Sequence, residues 1–215
     1  YNSEADKWED ASGDKSFDPK TYVFVTTEES FGLPIRCLVT KNKSTAENYT
    51  ATSNVVTVVN KHTHNYSDNG FCTICGQYQP AVLNGDVYEI SNAGMMFWFA
   101  SLVNNDSSYA DFKNQDVDAK AVLVKDIDLE GREWKPIMNF SGSFNGQGYS
   151  ISKFKITSTT SSSGLFGSAY GTVANFTLNG EIELSADGDK VGGIVGYADG
   201  ATIKNVASYV NISNT

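Results

Sequence analysis

Basic residues are scarce. Lys and Arg total 16 against 25 Asp and Glu, a formal net charge of −9 over 215 residues. No basic cluster occurs, so phosphate backbones and anionic lipid surfaces are poor partners. No run approaches the ~20 apolar residues of a membrane span. Histidine is limited to His62 and His64, and cysteine to three positions. A Ser/His/Asp site would therefore need that one His pair. No Gly-x-Ser-x-Gly elbow is present. Proline numbers only four, while glycine reaches 19 and Ser, Thr and Asn are plentiful. That balance predicts a β-rich, turn-rich chain. The apolar fraction of 40% is enough for packed cores. The start, Tyr1-Asn2-Ser3-Glu4, is neither an initiator Met nor a signal peptide, and reads as following a cut or processing point.

Three pieces follow from the composition: 1–60, 61–80 and 81–215. In the first, Trp8 precedes a polar loop. The runs Thr21 to Val25, Pro34 to Thr40 and Ser53 to Val59 then alternate or carry β-branched residues, as strands of a sandwich do. These are too few for a seven-stranded sandwich. The segment IRCLVTKNKSTAENYTATSNVVTVV resembles the last two strands of bacterial immunoglobulin-like domains. The resemblance implies a domain truncated at its N-terminus. The Cys that would pair with Cys37 would lie on an earlier strand, so Cys37 is expected as a buried thiol.

The third piece opens with an apolar segment, Ser91 to Asn104, read as a helix that Ser91 caps. Strand-like runs follow. The tail repeats itself: TVANFTLNGEI, from Thr172, lies over TIKNVASYVNI, from Thr202. Gly164-Leu165-Phe166-Gly167 lies over Gly193-Ile194-Val195-Gly196. YSISKFKI, from Tyr149, is laid on the same strand, with Ile151, Val173 and Ile203 in one column and Phe154, Phe176 and Val206 in another. A period of ~20–30 residues is a solenoid period. Asn175 and Asn205 recur at matched positions and are expected to form a stacked ladder at a corner. GLFG is expected to bury Leu165 and Phe166 alternately, against the core and against a neighbouring surface. Tyr170, Tyr197 and Tyr209 are candidates for sugar stacking or an interface.

WKPIMNFSGSFNGQGYSISKFKI, then GLFG, then VGGIVGY, resemble the bacterial surface proteins that carry the GLUG motif. Asn145 stands where Asp is commoner in that pattern. The resemblance implies an all-β fold, a right-handed parallel β-helix with an N-terminal capping helix near 91–104. It also implies a non-catalytic segment of a large secreted or wall-attached, adhesin-like protein, with further rungs after residue 215. The resemblance supplies no ligand; a glycan or a host or cell-surface protein is the partner class considered. Two other readings stay open: the non-catalytic region of a secreted peptidase, and a polysaccharide-active β-helix enzyme.

The chemistry-bearing stretch is KHTHNYSDNGFCTICGQYQP. His62-x-His64 and Cys72-x-x-Cys75 place two imidazoles and two thiols within 14 residues. Thiolate sulfur and imidazole nitrogen suit tetrahedral Zn²⁺, and four protein ligands make a closed, structural site. A Cys72–Cys75 disulfide and thiols without metal are the alternatives. No βαβ pattern surrounds the pair, which speaks against a redox enzyme. Among carboxylates, Asp126 and Asp128 share a strand face opposite Ile127 and Leu129, and with Glu130 and Glu133 read as a solvated outer surface. Asp187-Gly188-Asp189 lacks the other ligands of a calcium loop, so calcium is not expected.

Overall fold

The computed structural model describes residues 62–157, 162–184 and 190–214, and before them only four short strands. The chain divides into two compact units, Tyr1–Thr63 and His64–Thr215. In the first, β1 (Pro34–Ile35) pairs antiparallel with β4 (Val56–Thr57). There β2 (Leu38–Lys41) pairs antiparallel with β3 (Tyr49–Thr52). Trp8 and Cys37 lie outside the described residues, as do Asp187 and Asp189.

In the second unit the first named strands form a hairpin, β5 (Val82–Asn84) against β6 (Val87–Ile90), followed by helix α1 (Ala93–Asn104). Then come β7 (Lys120–Leu123), β8 (Ile127–Asp128), β9 (Ser143–Asn145), β10 (Ser150–Ile156), β11 (Ser162–Ser163) and β12 (Phe166–Ala169). The last four are β13 (Thr172–Leu184), β14 (Lys190–Val191), β15 (Val195–Ala198) and β16 (Thr202–Asn214). From β6 onward the pairings are parallel, and they stack strands from successive passes of the chain. The result is a β-solenoid of about four turns.

Its faces are legible as columns. On one, Tyr88, Ala121, Phe144, Val173 and Ile203 lie in register. A second carries Ile127, Ile151 and Leu178, and a third carries Ile137, Phe166 and Val195. A single pass buries almost nothing; stacking removes each apolar side chain from water between its neighbours above and below. Phe140, Phe144 and Phe166 are fully buried, with ring centroids 5.0 Å (Phe140–Phe166) and 5.5 Å (Phe144–Phe166) apart. Such tilted rings add attraction beyond area burial. Close stacking also needs small residues. A Cβ on Gly171 would stand 2.0 Å from the carbonyl oxygen of Gly142 on the adjacent pass.

The helix is apolar on every side, and ten of its 12 residues are buried. Phe99 packs against Phe140 and Phe144, and Phe97 against Trp134. The N-cap is Asn92 rather than Ser91. Its Oδ1 accepts from the Met95 amide at 2.9 Å, while the Ser91 hydroxyl turns to the Met95 sulfur. Both are competent caps in isolation; the backbone at Asn92 is extended (φ −154°, ψ 174°) and aims its short carboxamide at the first turn.

The expected repeat holds for β13 and β16, which pair from Thr172↔Thr202 through Ile182↔Ile212, and for Phe166↔Val195. The placement of YSISKFKI does not. Ile151 pairs with Leu178, and Val173 pairs with Phe144. The strand belongs to the second face because the corner before it, Gly146-Gln147-Gly148, uses several residues where β13 and β16 turn on one Asn. GLFG also differs from expectation: Leu165 and Phe166 are both fully buried.

Candidate metal centre

The stretch 62–80 has few apolar residues, but internal backbone bonds give it a defined local fold. Isolated antiparallel bridges join Tyr66 to Cys72 and Phe71 to Tyr78. The Cys72 amide donates to the Gln77 carbonyl at 2.8 Å, and the Gly76 amide to the Cys72 carbonyl at 2.9 Å. Thr73 donates to the Asn65 carbonyl at 3.0 Å. Gly76 takes a φ of 76°, a left-handed turn directly after the second cysteine that a Cβ would strain. These bonds fold Cys72-Thr73-Ile74-Cys75-Gly76 into a knuckle with both sulfurs on one side.

The four candidate ligands come together. One ligand atom from each of His62, His64, Cys72 and Cys75 lies within 4.8 Å of the others. Cys75 Sγ is 3.5 Å from His64 Nδ1. A tetrahedral zinc ion, with Zn–S near 2.3 Å and Zn–N near 2.0–2.1 Å, needs S···N edges of about 3.5 Å. Donor set and spacing thus fit a tetrahedral S₂N₂ ion, with small closing movements of the remaining edges. Cys72 is buried and Cys75 half-buried. Burial, with Cys72 alongside, pushes the Cys75 thiol above its ordinary value. Burial also raises Tyr66, helped by the same two sulfurs. A divalent cation reverses that logic, because its charge favours the thiolates it binds.

One layer further out, the knuckle docks on the helix. Phe71 is buried against Tyr78 and Phe97, with the Arg132 guanidinium 3.8 Å above its ring. The Asn69 carbonyl accepts from the Gly94 amide at 2.8 Å. Gln79 Oε1 accepts from Asn92 Nδ2 at 2.8 Å, and the Asn69 carboxamide bonds to Glu130. Sequence reading did not single out Asn69, Phe71, Gln79 or Gly94. Phe71, an aromatic between two polar turns, was the one available signal.

The carboxylates expected on the outer surface are there, with a more specific job. Asp126 accepts from the Ser150 amide and hydroxyl, and those bonds lower its pKa. Asp128 binds Lys153 and the Glu130 amide, and is lowered mainly by the lysine. Glu133 binds the amide and hydroxyl of Thr157. Each ties one pass of the chain to the next. The asparagines also stack as expected, and the ladder has a third member, Asn145. A shallow concavity of ≈580 Å³ runs beside it, lined by Gln147, Thr177 and Ala207 among others. Tyr209 is 70% exposed and Tyr170 42%, while Tyr197 is half-buried under Lys190. Among the described residues, no helix is long and apolar enough to cross a membrane.

No family model, curated protein or solved structure matches this chain.

Proposed function

We propose that this chain is a non-catalytic segment of a large secreted or cell-surface, adhesin-like bacterial protein, acting in binding or as a stalk. The observation that carries the reading is the use of the outward carboxylates. Asp126, Asp128 and Glu133 each engage the neighbouring pass of the solenoid. Carboxylates spent on stacking serve a rod; a glycosidase directs an acid and a base at one bond. The stacking of Gly164–Gly167 on Gly193–Gly196 supports the GLUG-type reading, with α1 as the cap of the first turn. The antiparallel pairs at 34–57 support an immunoglobulin-like module ahead of it.

Within that segment, His62, His64, Cys72 and Cys75 hold a structural zinc ion. Four protein ligands leave no position for a reacting water. Two experiments test these readings. Protein purified without chelator is expected to carry one zinc per chain, and a metal-free protein with an intact Cys72–Cys75 disulfide overturns the zinc site. On an array of glycans and matrix proteins, the chain is expected to bind without releasing products, or as a stalk not to bind. Release of sugar fragments from any polysaccharide overturns the non-catalytic reading.

A further inference from the structure

The knuckle's inner turn, Ser67 to Gly70, sits on the first turn of α1. The first amides of a helix have no partner within it. Here the Gly94 amide finds one in the Asn69 carbonyl, at 2.8 Å. The fit is tight: a Cβ on Gly94 would lie 1.8 Å from the Gly70 carbonyl oxygen, and one on Gly70 (φ 81°) would lie 2.1 Å from Asn92 Oδ1. The Gly70 carbonyl in turn accepts from the Gln79 amide at 2.8 Å, and Gln79 holds the carboxamide of the N-cap Asn92. Phe71, one residue before the ligand Cys72, fills the space between Phe97 of the helix and Tyr78. Each of these contacts falls within a few residues of a candidate ligand.

We propose that metal occupancy of the knuckle regulates the order of helix α1, and through Phe97, Phe99 and Trp134 the order of the solenoid core behind it. The inference rests on the zinc reading above. A bound ion fixes Cys72 and Cys75, which fixes Phe71 and Gly70 at the register that meets Gly94. Without the ion, a short polar stretch must hold that register alone. By linkage the effect is reciprocal: whatever zinc contributes to the helix contact, the helix contact contributes to zinc affinity.

The experiment is hydrogen exchange of the full chain read by mass spectrometry, with and without zinc, alongside zinc affinity from competition with a chromophoric chelator. In the unaltered protein, zinc is expected to slow exchange in the first turns of α1 by about 10-fold, a typical coupling between linked sites. Gly94→Ala wedges the two turns apart without touching a ligand. It is expected to bind zinc about 10-fold more weakly and to lose the zinc-dependent protection of α1. Gln79→Ala, a milder change, keeps the proposal testable if Gly94→Ala does not fold; it should reduce the same protection. Zinc binding with protection confined to 62–79 overturns the coupling and leaves the zinc site standing. No zinc uptake, with exchange at 62–79 unchanged, overturns the zinc site and this inference with it.

Discussion

Asn205 donates from Nδ2 to Oδ1 of Asn175 at 3.0 Å, and Asn175 makes the same bond, at the same length, to Asn145. Both donors sit at left-handed bends, with φ of 53° at Asn205 and 62° at Asn175. Asn tolerates that region better than other side-chain-bearing residues. One residue type therefore supplies the corner conformation and the bond that holds one corner on the next. Where the pass through β9 turns, Gln147 (φ 53°) and Gly148 (φ 88°) take the left-handed positions instead.

The two contributions of Asn175 separate by substitution. Asn175→Ala loses both the conformational tolerance (about 1–2 kcal/mol) and two amide bonds (about 0.5–1 kcal/mol each), for about 2–4 kcal/mol in all. Asn175→Gly keeps the bend and loses only the bonds, about 1–2 kcal/mol. Urea unfolding of the two variants checks the order; Gly costing as much as Ala would mean that the bend is unstrained.

Phe144 is fully buried and touches the rings of Phe99, Phe166 and Phe176. Phe144→Ala should cost about 3–5 kcal/mol, because rigid neighbours on three sides leave a cavity. Because Phe99 belongs to α1, near-ultraviolet dichroism of the aromatic core should fade together with helix signal on heating.

Asp106 carries the pH dependence that is easiest to read. Lys135, at 2.8 Å, and the side chain and amide of Ser108 hold its carboxyl at about 2. Its unfolded value is near 3.8. The folded state thus binds the proton less well, and stability falls as pH drops from about 4 to about 2. Asp106→Asn should be less stable than the unaltered protein at pH 7, and the gap should close by pH 2. Denaturant midpoints at both pH values give the answer; an unchanged gap would remove Asp106 as its source.

Cobalt tests the geometry of the knuckle independently of zinc content. Loaded into apoprotein, Co²⁺ is expected to show the intense visible absorption of a tetrahedral thiolate site. Cys75→Ser should weaken the sulfur-to-metal bands, and Cys72→Ser should do the same. Spectra of an octahedral ion would show that the four side chains do not close on it.

Much of the solenoid was legible. Thr172 to Ile182 over Thr202 to Ile212 gave the register of the longest pair, since identical rungs must place identical residues in one column. Asn145 was legible too, 30 residues before Asn175 as Asn175 is before Asn205. The similarity of YSISKFKI to the repeat hid it. Alternating Ile, Phe and Ile look alike on any face of a β-solenoid, and only pairing shows that Ile151 faces Leu178. For the knuckle, spacing marked His62, His64, Cys72 and Cys75 as candidates, and the fold brings one ligand atom of each within 4.8 Å of the others. That convergence rests on turns such as the one at Gly76, which spacing alone does not guarantee.

The sequence by itself determined the β-rich class, the repeat, the grouping of His62, His64, Cys72 and Cys75, and the outward face of Asp126 and Asp128. Those are local properties: propensity, period and spacing. Tertiary structure alone decided that Asn92 caps the helix, that Asp126 and Glu133 reach the next pass, and that Gly70 meets Gly94. Each of those depends on a partner more than 20 positions away or on a turn's aim, and a backbone approach leaves no mark in a sequence beyond the absence of a side chain.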